Sequence, residues 1–287
     1  MLPATAWARE AEGLVWWTDD PLVQTLQTAA QPANAKKEIK MFSAQNEYED
    51  YQIVLNSPAE DFTITGVSFT DLVSGENVIG KDNLSYMFAL YEIAEPIVTG
   101  FDEGGEFAGG MEPGVAVLQY YPKNAKPDPL SNQRTIEVKK GLNQPVYISA
   151  FVGSDTAAGN YQGMVTVHTT KGNVRVPLTL EVFDTKVTEL KDSGFTVSNW
   201  FFDLGQSRVR EWNVYKNAYG VKEDHTPEEY EILSNWVEFL AAHRQNAATI
   251  SPVFFLDDAN TTCDKDGNFT FDWSLFDKAL DIYLQNG

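Results

Sequence analysis

The sequence predicts two architectures in series: an N-terminal antiparallel β-sandwich, then the first βαβα units of an incomplete TIM-type barrel. Three observations predict this multidomain, β then α/β, class. Residues 46–55, Asn-Glu-Tyr-Glu-Asp-Tyr-Gln-Ile-Val-Leu, alternate with period 2 and end apolar on both faces. That is a strand running from a polar rim into a covered interior. From there to about residue 184, strand signals follow strand signals. Past about residue 190 the order becomes strand, helix, strand, helix, the opening of a (β/α) barrel. The expected divisions are a tail at 1–11, a sandwich at 12–188 and a barrel segment at 189–287.

Taken in order, Leu14, Val15, Trp16 and Trp17 form a short strand. Asp19, Asp20 and Pro21 look like a helix start. Residues 37–44 are a second strand, leading into the 46–55 strand. Residues 62–72 alternate and are Thr-rich, and 84–93 form a further strand. Residues 100–114 hold six glycines and four acids. They are a loop, open as a disordered insertion, a lid or a calcium loop. Tyr120 to Leu130 carries three prolines and is expected to be a rigid loop. Strands follow at 141–152, which Pro145 can only begin, at 157–167, and at 173–183, where Pro177 signals an edge or bulge.

Beyond the change of grammar, 195–202 is a strand. Thr226-Pro-Glu-Glu opens a helix with a capping box, and Tyr230, Leu233, Val237, Leu240 and Ala241 make its buried stripe. Residues 247–255 form a second strand. Residues 264–268 are a turn, lacking the closing Glu of an EF-hand. Residues 272–285 form a second helix capped by Asp272. Fewer than a hundred residues follow the boundary, against roughly 250 for a whole barrel, so a fragment of a longer protein is expected.

Composition excludes several functions. The 287 residues are 43% hydrophobic, enough for a sizeable core. Formal charge is −20, from 41 acids against 21 bases. Nucleic acid and anionic membrane surfaces are therefore poor partners. No apolar run approaches the roughly 20 residues of a membrane span. A single cysteine, Cys263, gives no intrachain disulfide, and three scattered histidines give no zinc signature. No metal and no cofactor are expected. Ala6-Trp7-Ala8 has the form of a signal-peptidase site, but no apolar stretch precedes it.

Three motifs carry a resemblance. Residues 44–55 fit A-x-N-E-x-E-x-x-Q-x-V, residues 127–130 fit a D-P-L segment after a tyrosine-proline, and residues 158–167 fit A-G-x-Y-x-G-x-V-x-V. In this order they resemble glycoside hydrolase family 123, substrate-assisted β-N-acetylgalactosaminidases that join a β-sandwich to a (β/α) barrel. The resemblance implies a glycan substrate containing N-acetylhexosamine and a secreted or cell-envelope location. It also implies an adjacent Asp-Glu pair near the middle of the barrel. The only Asp-Glu here is Asp102-Glu103, in the sandwich loop, so the catalytic pair is expected beyond Gly287. The alternative is a non-catalytic carbohydrate-binding or cell-surface structural sandwich module.

Barrel enzymes place their chemistry at the C-terminal ends of strands. By position, Trp200, Asp203, Asp257 and Asp258 are the expected sugar contacts. Strand-end packing and helix capping explain the same residues equally well.

Overall fold

The computed structural model describes residues 10–92, 98–99, 117–118, 126–197, 219–223, 225–246 and 260–286. It falls into two compact units, Met1–Val187 and Thr188–Gly287.

The first unit is built from two sheets. One runs β1 (Val15–Asp19), β3 (Glu47–Asn56), β12 (Asn143–Val152), β7 (Leu84–Glu92), β10 (Lys126–Ser131), with every pair antiparallel. The other runs β11 (Ile136–Val138), β4 (Phe62–Phe69), β13 (Gly159–Thr169), β14 (Gly172–Lys186), β2 (Ile39–Gln45), with the pair β5 (Leu72–Ser74) and β6 (Asn77–Ile79) attached to β13. In this second sheet the β2–β14 pair is parallel. A short pair, β8 (Val98–Thr99) and β9 (Val117–Leu118), stands apart, and the glycine-rich stretch 100–114 between them lies outside the described residues.

One face of each sheet feeds a single core. Ile53 and Leu55 of β3, Val146, Ile148 and Ala150 of β12, and Phe88 of β7 meet Val165 and Val167 of β13 and Val176, Leu178 and Leu180 of β14. All are buried at alternate positions, as the period of a strand requires. The unit is therefore a β-sandwich.

Three local expectations change in the tertiary context. The helix expected at Asp19–Pro21 does not form. Asp20 Oδ1 accepts the Leu22 amide at 2.8 Å, a local turn. The chain from there is tied down by side chains of the first sheet. Gln52 Nε2 donates to the Asp20 and Val23 carbonyls, Tyr147 to Pro21, Tyr91 to Thr25, and Asn143 Nδ2 to Leu26 and Ala29. Of the rigid loop expected over Tyr120 to Leu130, residues 126–130 belong instead to edge strand β10, and 120–125 lie outside the described residues. The strand tolerates Pro127 and Pro129 because its ladder is interrupted between Pro127 and Leu130. Finally, Pro145 sits inside β12 rather than at its start. Its pairing with β7 begins only at Val146↔Phe88, and continuing that register would set Pro145 opposite Ala89. Gln144 Nε2 donates to the Ala89 carbonyl at 2.8 Å and so replaces the N–H that proline lacks. Pro177 has the related solution: it precedes the Leu178–Val182 stretch of β14 that pairs with β2.

The second unit contains helices α1 (Pro227–Ala242) and α2 (Ser274–Asn286) and a small hairpin, β15 (Thr262–Cys263) with β16 (Phe269–Thr270). Thr226 Oγ1 accepts the Glu229 amide at 3.3 Å with Pro227 behind it, as the capping pattern predicts. The Glu229 carboxylate reaches back to the His225 amide. Arg244, at φ 60°, ends α1. The Arg244 and Gln245 amides return to the Ala241 and Leu240 carbonyls, closing the helix with a left-handed cap. Tyr230, Ile232, Leu233, Val237 and Leu240 pack with Ala279, Leu275 and Phe276 of α2. The strands expected at 195–202 and 247–255 lie outside the described residues, apart from 195–197. No described helix is long and apolar enough to cross a membrane.

Candidate functional site

The expected sugar contacts Trp200, Asp203, Asp257 and Asp258 all lie outside the described residues, as does the Asp102-Glu103 pair. Among the described residues, polar and aromatic groups gather on the rim of the sandwich and on the second unit.

The rim is the motif stretch 44–55, and most of its polar side chains hold backbone. Asn46 adopts φ 63° at the β2–β3 corner, a left-handed conformation that asparagine tolerates better than most residues. Its Nδ2 donates to the Val187 carbonyl at 3.0 Å. Glu47 Oε1 accepts the Ala44 amide at 2.5 Å, and Gln45 Nε2 donates to Thr156 at 2.6 Å. Gln52 is fully buried and anchors the Asp20–Val23 segment. Glu49 has no such task. Partial burial, then the charges of Glu47, Asp50 and Asp20, hold its carboxyl above the ordinary value. Beside it Tyr48 is exposed and leans on Phe151, with ring centroids 4.7 Å apart. The third motif is structural as well. Tyr161 is buried, with its hydroxyl on the Ala157 carbonyl at 2.8 Å, a corner tyrosine.

On the second unit a groove of about 670 Å³ runs along α1. It is lined by Tyr219, Trp236 and Phe239, with Glu228, Glu231 and Asn235 among its polar groups. Glu228 and Glu231 are exposed. Glu228 lies in the first turn of the helix, where an acid is favourable.

Across the hairpin lies a row of rings. Phe269 stacks on Phe271 at 5.8 Å and 12°, Phe271 leans on Trp273 at 5.8 Å, and Trp273 meets Phe276 edge-on at 5.7 Å. The alternation Phe-x-Phe-x-Trp directly after the Asp264–Asn268 turn is the signal that identifies this row. Asp264 accepts the Asp266 and Asn268 amides and the Asn268 side chain, each at 2.9 Å. These bonds, the Asn268 side chain first, hold its carboxyl below the ordinary range. Among the described residues no group of three or more His, Cys, Asp or Glu could hold a metal ion.

Fold and residues thus define a β-sandwich protein with a second unit whose described residues form two helices and a hairpin, and comparison with known proteins gives it a family. The profile of the glycoside hydrolase 123 N-terminal domain matches residues 23–169, half of the sequence, and the chain belongs to that family. Among solved structures, a family 123 glycoside hydrolase from Clostridium perfringens, studied for glycolipid glycan hydrolysis, aligns with TM-score 0.71 at 12% identity. The alignment covers 96% of this chain and 45% of that one, so the chain spans under half the length of that enzyme. Two weaker likenesses carry no argument. AvmM, which catalyses macrocyclization in alchivemycin A biosynthesis, has TM-score 0.30 at 7% identity over 63% of this chain and 98% of its own. The CooA pilin subunit from enterotoxigenic Escherichia coli has TM-score 0.23 at 13% identity over 58% and 98%. No curated protein matches the chain.

Proposed function

We propose that this chain is the N-terminal portion of a secreted or cell-envelope glycoside hydrolase acting on glycans that contain N-acetylhexosamine. In the full-length form the substrate's acetamido group is the nucleophile, oriented by an Asp-Glu pair beyond Gly287. Residues 189–287 then supply the first strands and helices of a (β/α) barrel, with Trp200, Asp203, Asp257 and Asp258 contacting sugar.

The observation that carries this reading is the reach of the fold likeness. It covers 96% of the chain and so runs past the family-matched region 23–169 into the second unit. Asn246 adds support. It directly precedes the strand expected at 247–255. Its Oδ1 accepts the Val197 amide at 2.8 Å, its Nδ2 donates to the Phe195 carbonyl at 2.7 Å, and its amide donates to Val197. Asn246 is thereby held against Phe195 and Val197, an arrangement that suits a pair of neighbouring parallel strands over 195–202 and 247–255. No Asp-Glu pair occurs between 188 and 287.

The test is hydrolysis of an aryl N-acetyl-β-galactosaminide by this chain and by a version extended through a whole barrel. Activity in the extended version alone is the expected result. Turnover by the short chain that vanishes in Asp203→Asn or Asp257→Asn overturns the placement of the catalytic pair. Inactivity in both favours the carbohydrate-binding module.

A further inference from the structure

We infer that the ring row Phe269–Phe271–Trp273 is a stacking subsite for a neutral oligosaccharide. The inference rests on the glycoside hydrolase reading above and extends it to named residues.

The rings are joined to one another but not covered. Phe269 is 62% exposed, Phe271 46% and Trp273 40%. Alternate residues of an extended chain share a face about 7 Å apart, which gives a continuous apolar strip. A contiguous strip of this kind on a soluble surface marks an interaction site.

The strip is also held in place. Its inner end, Phe276, packs in the core between α1 and α2. Asp272 Oδ1 accepts the Ser274 amide at 2.9 Å, and the Trp273 carbonyl accepts the Asp277 amide at 2.8 Å, fixing the chain as it enters α2. At the outer end the Asp264 network locks the turn of the hairpin. Little ordering remains for a ligand to supply.

The surroundings decide the kind of occupant. Residues 260–277 contain four aspartates and one lysine. An anionic polymer or an acidic peptide is repelled, and a second copy of a chain with charge −20 is disfavoured. A neutral sugar suits both parts of the surface. The C–H face of a pyranose lies on a ring, and its hydroxyls donate to the flanking carboxylates. In the barrel reading the hairpin belongs to the loop between the second strand and the second helix, on the face where barrels bind substrate.

The probe is a neutral oligosaccharide ending in β-linked N-acetylgalactosamine, titrated into the full chain. Binding is followed by calorimetry and by the indole N–H resonance of Trp273, identified by its absence in Trp273→Phe. Phe269→Ala and Phe271→Ala are each expected to weaken binding about tenfold, the factor that corresponds to 1.4 kcal/mol. Trp273→Phe keeps an aromatic ring and is expected to retain most of the affinity. Phe269 is the most exposed ring, so its variant keeps the fold, checked by an unchanged melting curve. Adding sialic acid to the probe should abolish binding. The proposal is overturned if the wild-type chain does not bind, if both alanine variants bind undiminished, or if the variants change only self-association. Hydrolysis by the extended version is scored separately: activity with an undiminished Phe271→Ala sinks the subsite and spares the function, and binding without hydrolysis does the reverse.

Discussion

Gly163 shows at a single atom why a glycine stands in the third motif. A Cβ there would lie 2.4 Å from Leu72 Cδ2 and 2.9 Å from the Asp71 carbonyl oxygen, and backbone on that side cannot easily retreat. Gly163→Ala should cost about 1–3 kcal/mol, seen as a lower urea midpoint with an unchanged slope; an unchanged midpoint would show that β5 yields. Glu49 offers a pH test. Its folded carboxyl titrates above the ordinary value of 4.5, so the fold favours its protonated form. Stability is therefore lost as pH rises from about 4.5 through the higher folded value. Glu49→Gln should raise the melting temperature at pH 7, and the gain should fade as pH falls below 4.5. A gain that is constant with pH would assign it to packing rather than charge.

Among the elements, α1 carries a buried group with no compensation. The Tyr230 hydroxyl is buried without a hydrogen-bond partner among the described residues. Burial, then the Glu229 charge, pushes its pKa up to about 12. Tyr230→Phe keeps the ring beneath Lys278 Nζ, 3.7 Å from its centroid. The variant should be neutral or more stable by about 1 kcal/mol, since an unmade buried hydrogen bond costs that much or more. The folded pKa is raised, so wild-type stability is complete below pH 10 and declines from there toward about pH 12. In Tyr230→Phe that part of the decline should be absent. Hydrogen exchange of the α1 amides measures both effects, and faster exchange in the variant would reveal a partner for the hydroxyl. Strand β10 gives the complementary lesson. A proline-rich segment is a strand because β7 lies beside it, a neighbour more than thirty residues earlier in the chain.

At the scale of the whole molecule, the described residues form two separate cores, one in each unit. Among the described residues, the sandwich cluster draws on none beyond Val182, and the helical cluster on none before Val221. Residues 1–187 alone should therefore melt in one cooperative transition, with near-ultraviolet circular dichroism retained from the buried Trp17 and Tyr161. A broad, non-cooperative melt would mean that the second unit contributes to the sandwich.

Local pattern was enough to locate the β3 strand, the cap at Thr226 and a two-sheet fold, because side-chain periodicity and capping act within a few residues. The three motifs likewise announced the family now matched over residues 23–169. Their chemistry was not evident in advance. Asn46, Glu47 and Gln52 hold the Val187, Ala44, Asp20 and Val23 backbone groups, and those partners are known only once the chain has folded back. The same holds for Gln144 completing the ladder beside Pro145, for Asp20 forming a turn instead of a helix, and for Phe269, Phe271 and Trp273 lining up as an exposed ring row. Sequence determined which faces are apolar and where helices can start. Tertiary structure decided which polar groups meet and which apolar groups stay uncovered, because hydrogen bonds and burial depend on neighbours that are distant in the chain.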